Sequence, residues 1–377
     1  MANLFLRKVS IKRFKQFVDV VFDLSSPREY EFNKDTLTSD GKLIKTALIY
    51  GKNGAGKSNL GLGLMDITLH LTDNQKNLES YNYYINADSD TRNAEFIYEF
   101  SNGEDVYKYE YTKSEPQVCL FERFFVNNEL VFSMDKENGV ILTPGAKKYE
   151  FETLRIEKGI DLSILRFIAN NSSLSSDNPI SMVMNFVKRM LYFKRVDLGN
   201  RFIGLTPKVD VNLFGYIVQN KLLKEFEDFL KKAGINETLE ADENETNYSN
   251  IKIYFKRKHQ NLPIDAVGSS GTLSLALQFY WLKRLSEASF VFIDEFDAFF
   301  HSELSEHMYK LFKAIEFPQF VMTTHNTNLL SNRLGRADSF YIVTPHKIAS
   351  MSSMSKREIR EGNNIENLYL GRAFGEL

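Results

Sequence analysis

The spacing of glycine, lysine and serine in residues 51–58 indicates a loop that binds phosphate. Its glycines let backbone N–H groups point inward at phosphate oxygens, Lys57 adds a positive charge, and the Ser58 hydroxyl can reach Mg²⁺. The alternative is an ordinary glycine-rich turn, and the adjacent lysine and serine argue against it. The predicted phosphate-binding residues are Gly51, Asn53, Gly54, Ala55, Gly56, Lys57, Ser58 and Asn59.

Two adjacent carboxylates, Asp294 and Glu295, follow the apolar run 290–293. Such a run is typical of a buried central strand, and ligands of open α/β sheets bind at the carboxyl ends of the strands. Asp294 would join Ser58 in holding Mg²⁺, and Glu295 would orient and deprotonate an attacking water. The alternative is a solvated pair of acids at the end of a strand. Beside a complete phosphate loop, the catalytic interpretation is favoured.

Two weaker candidates complete the set. Ser269, Ser270 and Gly271 precede the helical run 273–285, so small hydroxyl residues at a helix start offer a second anion site. Alone they would be only a good helix cap. His325 ends another buried strand, 320–324, where it could donate to a γ-phosphate and act as a switch, although a single histidine is more often structural. The predicted catalytic residues are therefore Glu295, His325 and Lys57.

The phosphate loop requires a strand before it and a helix after it, and the sequence offers both. Residues 46–50 are a short, mostly apolar strand candidate. After the loop, leucine and isoleucine recur at helical spacing to residue 71 and should face a sheet. Gly61 and Gly63 each weaken that helix by about 1 kcal/mol relative to alanine. A helix that keeps both is expected to pack closely against a neighbour.

The remaining elements are assigned from periodicity. Residues 4–23 predict two strands, and residues 94–133 alternate as antiparallel strands with turns at 101–103 and 127–128. Residues 150–233 are expected to be helical, most clearly 214–232. An acidic, polar stretch at 240–250 predicts a loop, and residues 251–255 predict a strand.

Composition bounds the class of protein. Hydrophobic residues make up 43% of the 377 residues, which indicates a globular chain able to bury a core. The formal net charge of −2 argues against a strongly basic nucleic-acid binder, though not against a local basic groove. Cys119 is the only cysteine, so an internal disulfide is excluded and a reducing cytoplasm is expected. No signal peptide and no membrane span are predicted.

The order of these features resembles ABC-type ATPase heads of the SMC, RecF and OLD kind, most closely the OLD-like ATPases of prokaryotic anti-phage and abortive-infection modules. The stretches that carry the resemblance are 11–17, 51–58, 269–272, 294–301, 324–330 and 367–372. The resemblance implies an α/β P-loop NTPase with an ABC-ATPase-like head, an antiparallel β subdomain and a helical insertion. The predicted domains are 1–150 and 251–377 as the two halves of the head, and 151–250 as the insertion.

The resemblance also implies a mechanism. ATP and Mg²⁺ would lie between two subunits of a head-to-tail homodimer, or of a higher homo-oligomer. One subunit would contribute residues 51–58, 294, 295 and 325, and the other Ser269, Ser270 and Gly271, with Asp297 as a dimer contact. Two departures stand out: the signature is a short serine-rich variant, and the glutamine expected beside Mg²⁺ has only Gln75 and Gln117 as candidates.

Several functions fit this pattern. The preferred hypothesis is a sensor or regulatory ATPase of a defence system that controls a separate effector protein, a nuclease or a toxin. The alternative is a DNA-repair or recombination ATPase of the RecF or SMC type acting on DNA ends. An intrinsic nuclease is not expected, because only about fifty residues follow His325, fewer than an ordinary domain needs.

DNA is left open as a partner. Four basic pairs or triplets offer candidate contacts, but charged runs are usually solvated surfaces. The alternating tyrosines 107, 109 and 111 are expected to pack in a sheet rather than to stack on bases. The basic clusters are Lys188-Arg189, Lys194-Arg195, Lys256-Arg257-Lys258 and Lys356-Arg357.

Overall fold

Two seven-stranded β-sheets form the framework of the protein. A computed structural model describes residues 3–25, 27–72, 78–152, 154–156, 162–196, 199–205, 212–242, 250–355 and 357–375. Among these residues, no helix has the length and hydrophobicity needed to cross a bilayer.

The first sheet, called here the central sheet, has the strand order β10-β9-β14-β15-β3-β16-β17. Its five inner strands are parallel, and an antiparallel strand closes each edge. The inner strands are almost continuously apolar because both faces of a parallel sheet are covered. The strands are β3 (Thr46–Tyr50), β9 (Met190–Val196), β10 (Gly199–Gly204), β14 (Phe290–Asp294), β15 (Gln319–Thr324), β16 (Phe340–Thr344) and β17 (Lys347–Ser350).

The second sheet is entirely antiparallel, with the order β2-β1-β4-β5-β6-β7-β8. Its strands bury alternate residues, and the side chains of Tyr107, Tyr109 and Tyr111 lie on the buried face. The predicted antiparallel subdomain and the packing role of these tyrosines are therefore confirmed. The strands are β1 (Phe5–Phe14), β2 (Phe17–Asp23), β4 (Ala94–Ser101), β5 (Val106–Glu115), β6 (Val118–Val126), β7 (Glu129–Asp135) and β8 (Gly139–Leu142).

Helix α1 (Lys57–Leu71) lies between the two sheets. A Cβ atom added to Gly61 would meet Phe292 Cε1 of the central sheet at 2.6 Å, and one added to Gly63 would meet Ile11 Cδ1 of the antiparallel sheet at 2.6 Å. The close packing expected from the two glycines is confirmed. It is needed because the helix is held against a sheet on two sides.

The other elements cover the sheets. Helices α5 and α6 replace the single helix expected at 214–232, because Lys221 takes a left-handed φ of 57° between them. A small third sheet has the order β11-β12-β13. The elements are α2 (Gly145–Lys148), α3 (Ile164–Asn171), α4 (Pro179–Val187), α5 (Leu213–Gln219), α6 (Leu223–Lys232), β11 (Leu239–Ala241), β12 (Ile253–Phe255), β13 (Leu262–Pro263), α7 (Ile264–Val267), α8 (Ser270–Leu282), α9 (Ser302–Lys313), α10 (Met351–Met354) and α11 (Ile365–Leu370).

The prediction that residues 151–250 form a helical insertion beside the head is wrong for residues 190–204. These residues form β9 and β10, and β9 pairs in parallel with β14 inside the central sheet. The apolar run 190–193 is buried on both faces, so its periodicity does not separate a strand from a helix. The expected loop at 240–250 overlaps β11 and otherwise falls mostly on 243–249, outside the described residues. The boundaries at residues 150 and 250 stay predictions.

Candidate functional site

The predicted phosphate loop connects the end of β3 to the start of α1. Gly54 and Gly56 take left-handed φ angles of 76° and 108°, which glycine adopts without steric cost. Gly56 also has a close neighbour, because a Cβ there would lie 2.7 Å from the Nε2 atom of Gln16. The loop is thus held against the turn between β1 and β2.

Lys57 directs its ammonium into its own loop. Its Nζ donates to the carbonyl oxygens of Gly51 at 2.8 Å and Lys52 at 3.2 Å. Burial lowers the pKa of Lys57, and the nearby carboxylates of Asp294 and Glu295 oppose that shift. The loop therefore presents a partly buried positive charge on the side that faces the acidic pair.

Ser58 and Asp294 meet directly, although 236 residues separate them in the sequence. The Ser58 hydroxyl donates to Asp294 Oδ2 at 2.6 Å, and the Asp294 carboxylate is only 1% exposed. On its other side, Asp294 Oδ1 accepts from the Thr323 hydroxyl at 2.7 Å. A hydroxyl and a carboxylate are oxygen donors of the kind that Mg²⁺ takes. The two predicted metal ligands thus fit a magnesium site.

Glu295 begins the turn after β14 with a left-handed φ of 52°. Its backbone N–H donates to Thr323 Oγ1 at 2.7 Å, so the same threonine fixes both acidic residues. The side chain lines a cavity of about 180 Å³ beside the phosphate loop. The residues around this cavity are Gln16, Asn53, Gly54, Gly56, Lys57, Ser58, Asn59, Glu295 and His325.

His325 follows β15 and reaches the same cavity. Burial, together with the positive charge of Lys57, lowers the pKa of His325 below its usual value. The imidazole is therefore neutral at neutral pH, with one ring nitrogen as a donor and the other as an acceptor. Such a group can donate a hydrogen bond to an anion in the cavity without adding a full charge.

Lys194 is a cavity neighbour that the sequence analysis assigned to a basic surface cluster. It is the last residue of β9 that pairs with β14, opposite Asp294 in the parallel register. Its Nζ lies 3.1 Å from both Asp294 Oδ2 and Glu295 Oε1. Burial lowers its pKa, but the two carboxylates more than offset this and raise it, so the side chain stays charged. The sequence feature that could have placed Lys194 in the site is its position directly after the apolar run 190–193, as at the end of a buried strand.

Gln16 is a second residue that the sequence analysis did not place in the site. Its Nε2 donates to the Gly54 carbonyl at 3.0 Å, and its Oε1 accepts from the Asn59 side chain at 2.8 Å. It therefore ties the β1–β2 turn to the middle of the phosphate loop and to the first turn of α1. Of the two candidates for the expected glutamine, Gln117 is exposed in the β5–β6 turn and does not line the cavity. Gln75 lies outside the described residues.

The serine-rich segment does not join this cavity. Ser269 and Ser270 are exposed at the start of α8, and Ser269 Oγ caps the helix by accepting from Thr272 N at 3.1 Å. Gly271 lies beside the Phe299 carbonyl, 3.1 Å from an added Cβ. One subunit thus brings together the phosphate loop, the acidic pair and His325, and leaves the serine-rich helix start facing outward.

Asp297, the expected dimer contact, is held within its own chain, and its role at an interface stays a prediction. Its carboxylate is buried and accepts from Thr324 Oγ1 at 2.9 Å within the same subunit. Burial raises its pKa, and hydrogen bonds from its neighbours partly oppose the shift. In this arrangement the side chain anchors the turn after β14 to the end of β15.

Residues 47–331 match a family model described as "AAA domain, putative AbiEii toxin, Type IV TA system". The match spans well over half of the chain. The chain belongs to this AAA family. No curated protein sequence matches it significantly.

Solved structures with the fold of this AAA family member include ATPase heads. An Smc head domain from Pyrococcus furiosus, bound to the C-terminal domain of ScpA, aligns over 92% of this chain and 96% of its own, at 14% identity and a TM-score of 0.50. An SmcHead bound to the C-winged helix domain of ScpA shares 16% identity over 92% and 97%, with a TM-score of 0.48. RecF with ATP shares 12% identity over 92% and 99%, with a TM-score of 0.41. The fold is that of an ABC-type ATPase head.

Proposed function

We propose that this protein binds ATP with Mg²⁺ and hydrolyses it. The observation that carries the proposal is the 2.6 Å contact between Ser58 Oγ and Asp294 Oδ2. That contact joins a phosphate loop to an acidic strand end, and Lys57, Glu295 and His325 line the same small cavity. Phosphoryl transfer depends on positioning and charge stabilisation, which this set of groups provides.

Each residue has a distinct task in the proposed reaction. The loop N–H groups and the Lys57 ammonium hold the β- and γ-phosphates, and the positive end of α1 favours the anion. Ser58 and Asp294 hold the metal, which supplies charge neutralisation at the transferring phosphoryl group. Glu295 orients the attacking water and accepts its proton, and the neutral His325 donates to the γ-phosphate. The water thus attacks in a site with positive charge on the phosphate side.

A second subunit would complete the site. Ser269 and Ser270 are exposed at the start of a helix, and Gly271 beside them is partly exposed. The nearby apolar side chains of Val267 and Phe299 are 50% and 39% exposed. A head-to-tail homodimer would cover these apolar groups and bring the helix start to the other subunit's phosphate. Asp297 would enter this interface only by leaving Thr324, so we assign it a role inside its own subunit.

The biological role that we propose is control of a separate effector protein, a nuclease or a toxin, by a defence-associated ATPase. The support is the wording of the family's description, which reads "putative AbiEii toxin, Type IV TA system". The alternative, an ATPase acting on DNA ends, has weaker support from the surface. In the basic stretch 256–258, Lys256 pairs with Glu240 and Arg257 with Glu237. Two of its three charges are thereby offset within the protein, which leaves less free charge for phosphate contacts.

Replacing the proposed base tests the function. In Glu295→Gln, the side chain keeps its size but no longer accepts a proton, so phosphate release should fall by about 100-fold or more, in the range of general base catalysis. ATP affinity should stay near the wild-type value, and ATP should trap the dimer, as light scattering would show. Glu303→Gln, at an exposed position in the first turn of α9, is the matched control. Unchanged turnover in Glu295→Gln would reject the assignment.

A further inference from the structure

The acidic pair already has a cation beside it that belongs to the protein. The Lys194 ammonium lies 3.1 Å from Asp294 Oδ2 and 3.1 Å from Glu295 Oε1. It approaches from the neighbouring strand, because β9 places Lys194 opposite Asp294 in the register. The oxygen that it contacts, Asp294 Oδ2, is also the one bound by Ser58. A divalent ion and this ammonium would therefore use the same atoms.

The Asp294 carboxylate is crowded at Oδ2, where three of its four donors lie. Its two oxygens accept from Ser58 and Thr323 at 2.6 and 2.7 Å, and from Tyr192 and Lys194 at 3.1 Å each. Each carboxylate oxygen offers about two lone-pair directions, so a metal can bind Oδ2 only if a donor leaves that oxygen.

Lys194 is the donor best suited to leave. Ser58 is itself a proposed metal ligand, and Thr323 also accepts from the Glu295 backbone. The Lys194 side chain is 20% exposed and has a flexible four-carbon stem. It also carries a full positive charge that a nearby divalent cation would repel. The other three contacts come from neutral hydroxyl groups.

We propose that Lys194 is a built-in competitor for the divalent cation. Its ammonium holds Asp294 and Glu295 together and must move away before Asp294 takes Mg²⁺. The site then discriminates against free metal and accepts metal that arrives with a nucleotide, whose phosphates give the displaced ammonium a new partner. Lys194 also restrains Glu295, so the proposed base becomes available only after metal binding. Lys194 is thus a positioning residue, and the inference rests on the proposed ATPase function.

Metal binding without nucleotide tests the proposal. The measurement is Mn²⁺ binding to the purified protein by electron paramagnetic resonance, with Lys194→Met, Lys194→Arg and Lys12→Met compared with wild type. Methionine has a similar length but no charge, and Asp294 keeps three other donors, so the fold should survive. We expect Lys194→Met to bind Mn²⁺ about tenfold more tightly, while Lys194→Arg stays near wild type. Lys12, on β1, pairs with Asp19 at 3.2 Å, and its variant should not differ.

The outcomes separate this inference from the proposed function. Equal or weaker Mn²⁺ binding by Lys194→Met would overturn the proposal that Lys194 competes with the cation. If the methionine variant unfolds at a lower temperature than wild type, Lys194→Gln gives the same comparison. A fluorescent ATP analogue with Mg²⁺ measures nucleotide binding by the wild type in parallel. Absence of that binding would reject the ATPase proposal itself. Normal ATP binding with unchanged Mn²⁺ affinity would reject only the role of Lys194.

Discussion

The two ends of α1 carry polar groups in opposite situations. At the N-terminal end, Lys57 and Ser58 line a cavity together with other residues of the phosphate loop, Gln16, Glu295 and His325. Toward the C-terminal end, Asp66 is fully enclosed and accepts from Tyr84, Tyr111 and Lys113 at 2.8 Å each. Both side chains of the Asp66–Lys113 pair are at most 1% exposed. One end faces a space for a ligand, and the other is closed by its own partners.

Near the C-terminal end of α1, a second series of contacts joins His70, Tyr109 and Glu122. His70 Nε2 lies 2.9 Å from the Tyr109 hydroxyl, which donates to Glu122 Oε1 at 2.5 Å. Glu122 also accepts from the backbone N–H groups of Ile164 and Leu165, which start α3. His70, Cys119 and Glu122 come within 4.8 Å of one another, a spacing that a metal would accept. Burial raises the pKa of Cys119, so its thiol stays protonated.

The comparison teaches that buried, ionisable groups do not identify a site by themselves. Both ends of α1 contain charged side chains out of water, and both shift the ionisation of nearby groups. The difference is that Lys57 and Ser58 also line a cavity, whereas Asp66 and Lys113 are enclosed by protein. The C-terminal end of the helix is therefore a structural connection to the antiparallel sheet and to α3.

Removing the buried charge at the closed end should have the largest effect. In Asp66→Asn, Lys113 stays buried without its counter-charge, so the free energy of unfolding should fall by about 3–5 kcal/mol. Urea denaturation measures this change. Asp19→Asn is the matched control, because Asp19 pairs with Lys12 on a half-exposed surface and should cost less than about 1 kcal/mol. If folded Asp66→Asn also lost ATP binding, the C-terminal end of α1 would not have a purely structural role, which would contradict the comparison.

Removing the charge at the open end should affect binding and not folding. In Lys57→Met, the lost charge-assisted hydrogen bonds to phosphate should weaken ATP binding by about 10- to 100-fold, equivalent to about 1.5–3 kcal/mol. Titration with a fluorescent ATP analogue gives the affinity, and urea denaturation should show little change. If instead this variant lost stability and kept its ATP affinity, the lysine would be a structural cap of its loop.

The smallest expected effect concerns pH. Burial, followed by the positive charges of Lys113 and Arg166, lowers the pKa of His70 well below its usual value. The folded protein therefore keeps His70 neutral, while the unfolded chain takes up a proton as pH falls below about 6.5. Stability is thus lost on acidification, by at most about 1.4 kcal/mol per pH unit for one proton.

The change in unfolding free energy between pH 7.5 and 5.5 should consequently be smaller in His70→Gln than in wild type. The difference between the two proteins isolates the histidine, because the other titrating groups are shared. Identical pH profiles would show that His70 is accessible to protons in the folded state and that this end of the helix is not closed.

Local patterns predicted much of the site but not its neighbours. The phosphate loop is one continuous stretch of sequence, and so is the Asp294–Glu295 pair. Each directly follows a strand, and that strand places it at the edge of the sheet. Lys194, Gln16 and Thr323 reach the site only through the order of strands and the position of a turn. Those depend on pairings between residues far apart in the chain. Because residues 151–250 were predicted as a helical insertion, β9 was not expected in the central sheet. Lys194 was therefore not expected beside Asp294.

The glycine contacts of α1 have a mechanical consequence. Gly61 and Gly63 leave no room for even a methyl group against Phe292 and Ile11, and closely packed interiors resist compression. A slide or rotation of the helix alone would press its backbone against these side chains. We therefore expect a displacement of its first turn to move the antiparallel sheet as well. Through this sheet, we expect a change of a few atoms at the phosphate loop to produce motion of an exposed face of the protein.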